Sequence, residues 1–157
     1  MPGALPGRLV PPSNWHFTIR FLGELELARG ELVASGIAGT ALPPPFDAEL
    51  SGLGAFPTPA RARTLWLGLS RGGAQFTRLA AAVDVALAAL GVAADARPFS
   101  PHLTLARLDP PGDLTRLITG PWRSAIPFRV ESVVLYRSEL GHGPPRYTEL
   151  KRIVLHR

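Results

Sequence analysis

Cysteine is missing from the 157-residue sequence, which excludes disulfide bonds, zinc fingers, iron–sulfur clusters and thiol catalysis. Long apolar segments are missing too, because no run approaches the roughly 18–20 residues that a membrane-spanning helix requires. Residues 1–10 lack the apolar stretch of a secretory signal peptide. These absences predict a soluble, cytoplasmic protein with no membrane partner.

The composition is that of a folded domain. Hydrophobic residues make up 46% of the chain and charged residues only 18%, which excludes a disordered tail or a low-complexity scaffold. No linker divides the sequence, and its length suits one hydrophobic core. We therefore expect one domain covering residues 1–157, and a monomer.

The charge is unbalanced towards the basic side. Seventeen basic residues against 12 acidic ones give a net charge of +5, and every basic residue except Lys151 is an arginine. The planar guanidinium fork suits phosphate, which favours an anionic partner such as nucleic acid. An arginine-rich composition also follows from a GC-rich genome, and the basic residues are scattered along the chain. Charge alone thus points to phosphate without identifying a substrate.

Hydrophobic periodicity predicts interleaved strands and helices. Several strands follow one another directly, which favours an α+β fold with mainly antiparallel pairing. Residues 1–14, rich in proline and glycine, predict an irregular segment. The predicted strands are 15–22, 46–53, 63–69, 102–108, 128–136 and 147–155; the predicted helices are 24–37 and 75–90, with a short helical turn at 114–118.

One short pattern occurs twice, as His16-Phe17-Thr18 and again at His102 with Thr104. In a strand, side chains at i and i+2 point to the same face, about 6.5–7 Å apart. Each histidine is therefore matched with a threonine on its own face. If the two strands lie side by side, the four groups converge on one anion.

Such a site suits metal-free hydrolysis of a phosphodiester. A neutral imidazole takes a proton from water while a protonated one gives a proton to the leaving oxygen, and each transfer is worth about 10²–10⁴ in rate. A lone histidine in a strand is more often structural, but a matched pair favours catalysis. A metal site needs a third ligand, and only Glu24 and Asp109 lie near the motifs. We expect neither metal nor cofactor.

Four separated segments, in the right order, resemble the 2H phosphoesterase superfamily. Within it they are most similar to the bacterial and archaeal RNA 2′,3′-cyclic phosphodiesterases, first described as 2′-5′ RNA ligases. The segments are 16–23 (HFTIRFLG), 52–57 (GLGAFP), 97–107 (RPFSPHLTLAR), and 135–141 (LYRSELG) followed by 146–148 (RYT).

The resemblance implies a bilobal α+β fold with two pseudo-symmetric, mainly antiparallel sheets flanked by helices and an active cleft between the lobes. It implies hydrolysis of RNA 2′,3′-cyclic phosphate ends to 2′-phosphates without metal or cofactor. It also implies a possible second activity, the joining of tRNA halves through a 2′-5′ linkage. Family members usually begin with an apolar strand and helix, whereas only fourteen residues precede Trp15. We expect this first segment to be missing or shortened.

The resemblance also implies roles for single residues. His16 is the acid for the departing O3′ and His102 the base for water, although the opposite assignment satisfies the same chemistry. Thr18 and Thr104 hold the phosphate.

Three further residues are candidates. The resemblance implies that Phe21 stacks on the terminal base and that Arg107 contacts phosphate. Strict alternation puts both on the faces opposite the histidines, unless a bulge turns them back. Spacing alone makes Arg20 a candidate for contact with the RNA backbone, and a solvated strand residue is the alternative.

Two other functions compete with this enzyme. One is a catalytically idle RNA-binding module, which two histidines disfavour because binding alone does not require them. The other is a phosphodiesterase acting on a small nucleotide such as ADP-ribose 1″,2″-cyclic phosphate.

Overall fold

The computed structural model describes residues 5–121 and 125–157. This part of the chain forms an α+β fold, as predicted. The strands are β1 (Arg8–Leu9), β2 (Phe46–Phe56), β3 (Ala62–Arg71), β4 (Leu103–Gly112), β5 (Ile126–Val130), β6 (Ser132–Glu139) and β7 (Arg146–Val154); the helices are α1 (Leu27–Ala38), α2 (Gly73–Ala89) and α3 (Thr115–Thr119).

The strands form two sheets. One has five strands in the order β1-β4-β3-β2-β5, and the other pairs β6 with β7. The β1–β4, β4–β3, β3–β2 and β6–β7 pairs are antiparallel, which confirms the predicted pairing. Among the described helices, none has the length and apolar character needed to cross a membrane.

The chain divides into two compact units, each assembled from separate stretches of sequence. The first contains residues 5–17, 48–71, 102–121 and 125–128. Its core lies on one face of the five-stranded sheet and includes Leu65, Leu67, Leu103, Leu105 and Ala106, all at most 7% exposed. The opposite face of these strands is therefore not part of this core.

The second unit contains residues 18–47, 72–101 and 129–157. The apolar sides of α1 and α2 pack together and against β7, through Val33, Ile37, Val83, Leu87 and Ile153. Val33 and Ile37, like Val83 and Leu87, are four positions apart and so lie on one side of their helix; apolar spacing of this kind predicted α2. The observed helix limits differ from the predicted ones by only a few residues.

Two strand predictions were wrong. Of residues 15–22, only Phe17 forms a bridge, with Leu103. Ile19 and Leu22, three positions apart, pack against the helical core of the second unit, while Phe21 is 72% exposed, so the apolar alternation of this segment does not mark a strand. The predicted strand 128–136 is interrupted at Glu131, and its halves, β5 and β6, belong to different sheets.

The expectation of an irregular start was also incomplete, because residues 8–9 form strand β1. Gly7 makes this pairing possible. It has a φ of +80°, and a Cβ there would lie 2.5 Å from the carbonyl oxygen of Arg107. Only a glycine gives the backbone that conformation and that close approach together.

Candidate active site

The two His-x-Thr segments meet at the start of β4. The antiparallel bridge between Phe17 and Leu103 places residue 16 opposite Thr104. Thr104 is in turn the partner of Trp66 on β3, and Trp66 is the partner of Gly54 on β2. Residues directly opposite in neighbouring strands share a face. His16, Thr104, Trp66 and Gly54 therefore form one row across the sheet of the first unit.

His102 lies diagonally across from His16, two positions before Thr104. Diagonal neighbours in an antiparallel pair stand about 7–8 Å apart, a spacing that can hold a tetrahedral anion between two imidazoles. His16 is exposed and His102 is half-buried. The structure thus brings the two predicted histidines and one of the two predicted threonines together.

His16 is oriented by the turn that precedes it. Residues Pro12–Asn14 form a single 3₁₀ turn, and the Nδ1 of His16 lies 2.6 Å from the carbonyl oxygen of Asn14. The indole N–H of Trp15 donates to the carbonyl of Val10 at 3.0 Å, which fastens the same segment. Since a carbonyl only accepts, Nδ1 must carry the proton. Proton exchange with a ligand therefore runs through Nε2 of His16.

A β-bulge decides where Arg107 points. The register between β3 and β4 shifts by one residue between the Leu65–Ala106 pair and the Trp66–Thr104 pair. As a result, the consecutive residues Leu105 and Ala106 are both buried in the core. Thr104 and Arg107, on either side of them, both point away from the core. The bulge places Arg107 on the face of the histidines, where simple alternation would not.

Two aromatic rings pack beside His102. Its ring lies edge-on to Phe56, with the centroids 5.0 Å apart, and 5.9 Å from the ring of Trp66. Phe56 and Trp66 are themselves 5.2 Å apart. We call Phe56 and Trp66 the aromatic pair. It forms one wall against His102 and limits the orientations of its ring.

Glycines let Trp66 lie flat on the sheet. A Cβ on Gly54 would lie 2.2 Å from the indole ring, and a Cβ on Gly68 would lie 3.2 Å from it. Any side chain at position 54 must therefore displace Trp66. The aromatic pair was not predicted from the sequence; the one signal for it was that Phe56 lies in segment 52–57, which carries part of the family resemblance.

The remaining predicted site residues belong to the second unit. Thr18 is exposed, and Phe21 is 72% exposed. The side chain of Arg20 is only 10% exposed, and its Nη1 donates to Oδ1 of Asp84 on α2 at 2.6 Å. Its Nη2 donates to the carbonyl of Ala93. These contacts favour a structural role for Arg20 over the predicted contact with RNA.

No group of three or more histidine and carboxylate side chains within residues 5–121 and 125–157 is arranged to hold a metal ion. The groups that the described site offers for chemistry are its imidazoles, a hydroxyl and a guanidinium. With two imidazoles beside one hydroxyl, the arrangement can bind an anion and move protons on both sides of it.

Comparison with known proteins agrees with this geometry. A model of the 2′-5′ RNA ligase superfamily matches residues 10–142. The RNA 2′,3′-cyclic phosphodiesterase of Escherichia coli is 34% identical over 154 residues, covering 95% of this chain and 80% of that protein. The protein of the same name from Aeropyrum pernix is 33% identical over 114 residues, covering 73% of this chain but only 64% of its own length.

Solved structures of phosphoesterases have a similar fold. The crystal structure of E. coli LigT complexed with 3′-AMP has a TM-score of 0.76 at 34% identity, covering 96% of this chain and 82% of that one. The crystal structure of TT0787 from Thermus thermophilus has a TM-score of 0.71 at 30% identity, covering 94% and 81%. Motifs, fold and relatives agree that the chain belongs to the 2′-5′ RNA ligase superfamily, the 2H phosphoesterases that its paired motifs resemble.

Proposed function

We propose that this protein hydrolyses the 2′,3′-cyclic phosphate at the end of an RNA to a 2′-phosphomonoester. The observation that carries the proposal is the placement of His16 and His102 on one sheet face, with Thr104 directly opposite His16. Relatives named for this activity support it.

The reaction consumes one water and needs two proton transfers. His102, as the base, takes a proton from water as its oxygen attacks phosphorus. The bond from phosphorus to O3′ then breaks, and His16, as the acid, gives its Nε2 proton to O3′. The product carries a 2′-phosphate and a free 3′-hydroxyl. Exchanging the two roles leaves the balance unchanged.

Two groups beside the histidines stabilise the charge on the phosphoryl oxygens. The Thr104 hydroxyl donates a hydrogen bond, and Arg107, turned to the same face by the bulge, supplies a positive charge. Donors fixed before the reaction are effective because they need no reorganisation as charge develops. Binding of phosphate by Thr18 and stacking of the terminal base on Phe21 stay predictions from the resemblance.

The joining of tRNA halves is the reverse chemistry, in which a ribose hydroxyl replaces water. The name of the matching family supports 2′-5′ ligation as a second activity. We further propose that the enzyme works as a cytoplasmic monomer without a metal ion.

The test is incubation of a cyclic-phosphate-ended oligonucleotide with the protein in EDTA, followed by identification of the product isomer. The expected product is the 2′-phosphate alone. A 3′-phosphate, or loss of activity on adding EDTA, overturns the proposed chemistry. If ADP-ribose 1″,2″-cyclic phosphate is cleaved much faster than the oligonucleotide, the small-nucleotide alternative is correct. Oligonucleotide binding without cleavage of either compound supports the binding-module alternative.

A further inference from the structure

Two arginines face each other beside the histidine row. Arg8 on β1 and Arg107 on β4 are direct cross-strand partners, and Arg107 is also the partner of Thr64 on β3. Direct partners share a face, so Arg8 points to the same side of the sheet as Arg107 and Thr104. Arg8 lies outside the residues that the sequence predicted for the site.

Arg8 and Arg107 are like charges, and no carboxylate among the described residues forms an ion pair with either of them. Arg20, Arg129, Arg137 and Arg152 all form ion pairs with carboxylates. Within residues 5–121 and 125–157, neither Arg8 nor Arg107 forms one, and both are exposed. Like charges directly opposite each other destabilise a sheet. Phosphate groups bound beside the two guanidinium groups would remove that cost.

Backbone contacts between β1 and β4 fix the positions of Arg8 and Arg107. Besides the close approach at Gly7, the amide of Val10 donates to the carbonyl of Leu105 at 2.8 Å, which continues the pairing of β1 with β4 towards the bulge. The backbone positions of Arg8 and Arg107 are therefore fixed by the pairing of β1 with β4, while their side chains remain exposed.

We propose that Arg8, whose cross-strand partner Arg107 contacts the cyclic phosphate, binds the phosphodiester that joins the terminal nucleotide of the substrate to the one before it. The proposal rests on the proposed function and adds a preference for oligonucleotides over mononucleotides. Because of the bulge, Arg107 and Thr104 lie opposite Thr64 and Trp66 of β3, two positions and about 7 Å apart. A long arginine side chain spans part of that distance, so a second phosphate of one RNA strand can lie beside the first. Arg8 then supplies the contact that a mononucleotide cannot use.

The test measures kcat/KM for two substrates with each of three proteins: the wild type, the Arg8→Ala variant and the Arg8→Lys variant. One substrate is adenosine 2′,3′-cyclic phosphate, and the other is a trinucleotide with the same end. We expect Arg8→Ala to lower kcat/KM for the trinucleotide about tenfold more than for the mononucleotide, since a charge-assisted hydrogen bond is lost only with the former. Arg8→Lys, which keeps the charge, restores part of the difference. Arg78→Ala, an equal loss of charge on the exposed side of α2, leaves both activities unchanged.

Salt dependence provides a second readout. Each contact with a phosphate of single-stranded nucleic acid contributes about 0.7 to the slope of log K against log salt concentration. The slope for trinucleotide binding should therefore become shallower by about that amount in Arg8→Ala. Equal loss on both substrates, or an unchanged slope, overturns the proposal.

The binding measurement also separates the two proposals. If the wild type hydrolyses neither substrate, the proposed function is wrong. The Kd of the trinucleotide and its salt slope, compared between wild type and Arg8→Ala, still decide whether Arg8 contacts a second phosphate.

Discussion

Thr104 and Arg107 point to the same side of β4, although three positions separate them and a regular strand would send them to opposite sides. The bulge at Leu105 and Ala106 accounts for this, because it turns two consecutive residues into the core. A single extra residue in one strand thereby adds an arginine to the face that carries the histidines.

Replacing Arg107 tests whether that orientation matters. Arg107→Gln should lower kcat/KM for a cyclic-phosphate-ended oligonucleotide by about 10–100-fold, the effect of losing one charged hydrogen bond. Arg116→Gln, at an exposed position of α3 in the same unit, is the matched control and should have little effect. Steady-state kinetics decide the point, and equal activity of the two variants would show that the bulge has no role in binding.

A methyl group at position 54 tests the aromatic pair. Gly54→Ala puts a Cβ where the Trp66 indole now lies, so this ring must move and His102 loses one of the two rings that pack beside it. We expect kcat to fall about 10–100-fold, since small displacements of a catalytic group have effects of that size. Gly73→Ala, where a Cβ meets nothing within 4 Å, is the control.

Two further measurements make the Gly54 result decisive. Tryptophan fluorescence should change in Gly54→Ala, while thermal unfolding shows that the variant is folded. Trp66→Phe keeps a ring beside His102 and should retain more activity than Trp66→Ala. If Gly54→Ala is folded and fully active, the aromatic pair does not position His102.

Replacing Arg20 distinguishes a structural role of this residue from a contact with RNA. Arg20→Ala removes the ion pair with Asp84 and the bond to Ala93, and we expect a loss of about 1–3 kcal/mol in the free energy of unfolding. Asp84→Asn, which weakens the same ion pair without touching position 20, should also lower stability. Chemical denaturation measures both variants. A stable Arg20→Ala variant with a greatly raised KM would instead support the original RNA prediction.

The ion pair between Glu149 and Arg152, both on β7, makes the stability depend on pH. Arg152 holds both carboxylate oxygens of Glu149, at 2.9 and 2.8 Å, and these hydrogen bonds lower the pKa of that carboxyl group. Because the folded-state pKa is the lower one, this stabilisation is present above the ordinary glutamate range and is lost as pH falls through the folded-state value.

Glu149→Gln should therefore be less stable than the wild type near pH 7, and the difference should shrink below about pH 4.5. Urea denaturation across pH 3–7 measures it. Glu31→Gln on the exposed side of α1 is the control, and a difference that does not vary with pH would contradict the assignment to Glu149.

Local patterns predicted the helices and most of the strands, whereas the meeting of the two motifs was expected only on the condition that their strands lie side by side. The apolar steps of α1 and α2 and the His-x-Thr spacing are properties of a few consecutive residues, and these are visible in one sequence. The same local logic failed for residues 15–22, because the alternating residues have different environments: Phe17 bridges to Leu103, Ile19 packs against the helices and Phe21 is exposed.

Contacts between residues far apart in the sequence were not predictable from local patterns. Arg20 meets Asp84 across 64 positions, and His102 meets Phe56 and Trp66 only because three strands lie side by side. The bulge at Leu105 depends on the register with β3, which a single strand's sequence does not determine. Strand β1 consists of two residues, too few for any period to be recognised.

The most direct test of the central claim compares turnover and affinity in His16→Ala and His102→Ala. Each variant should lose about 10²–10⁴ in the rate of hydrolysis of a cyclic-phosphate-ended oligonucleotide, while its Kd for the same RNA stays close to that of the wild type. Turnover at the wild-type rate in either variant would show that the two imidazoles facing each other at the start of β4 are not the acid and base of the reaction.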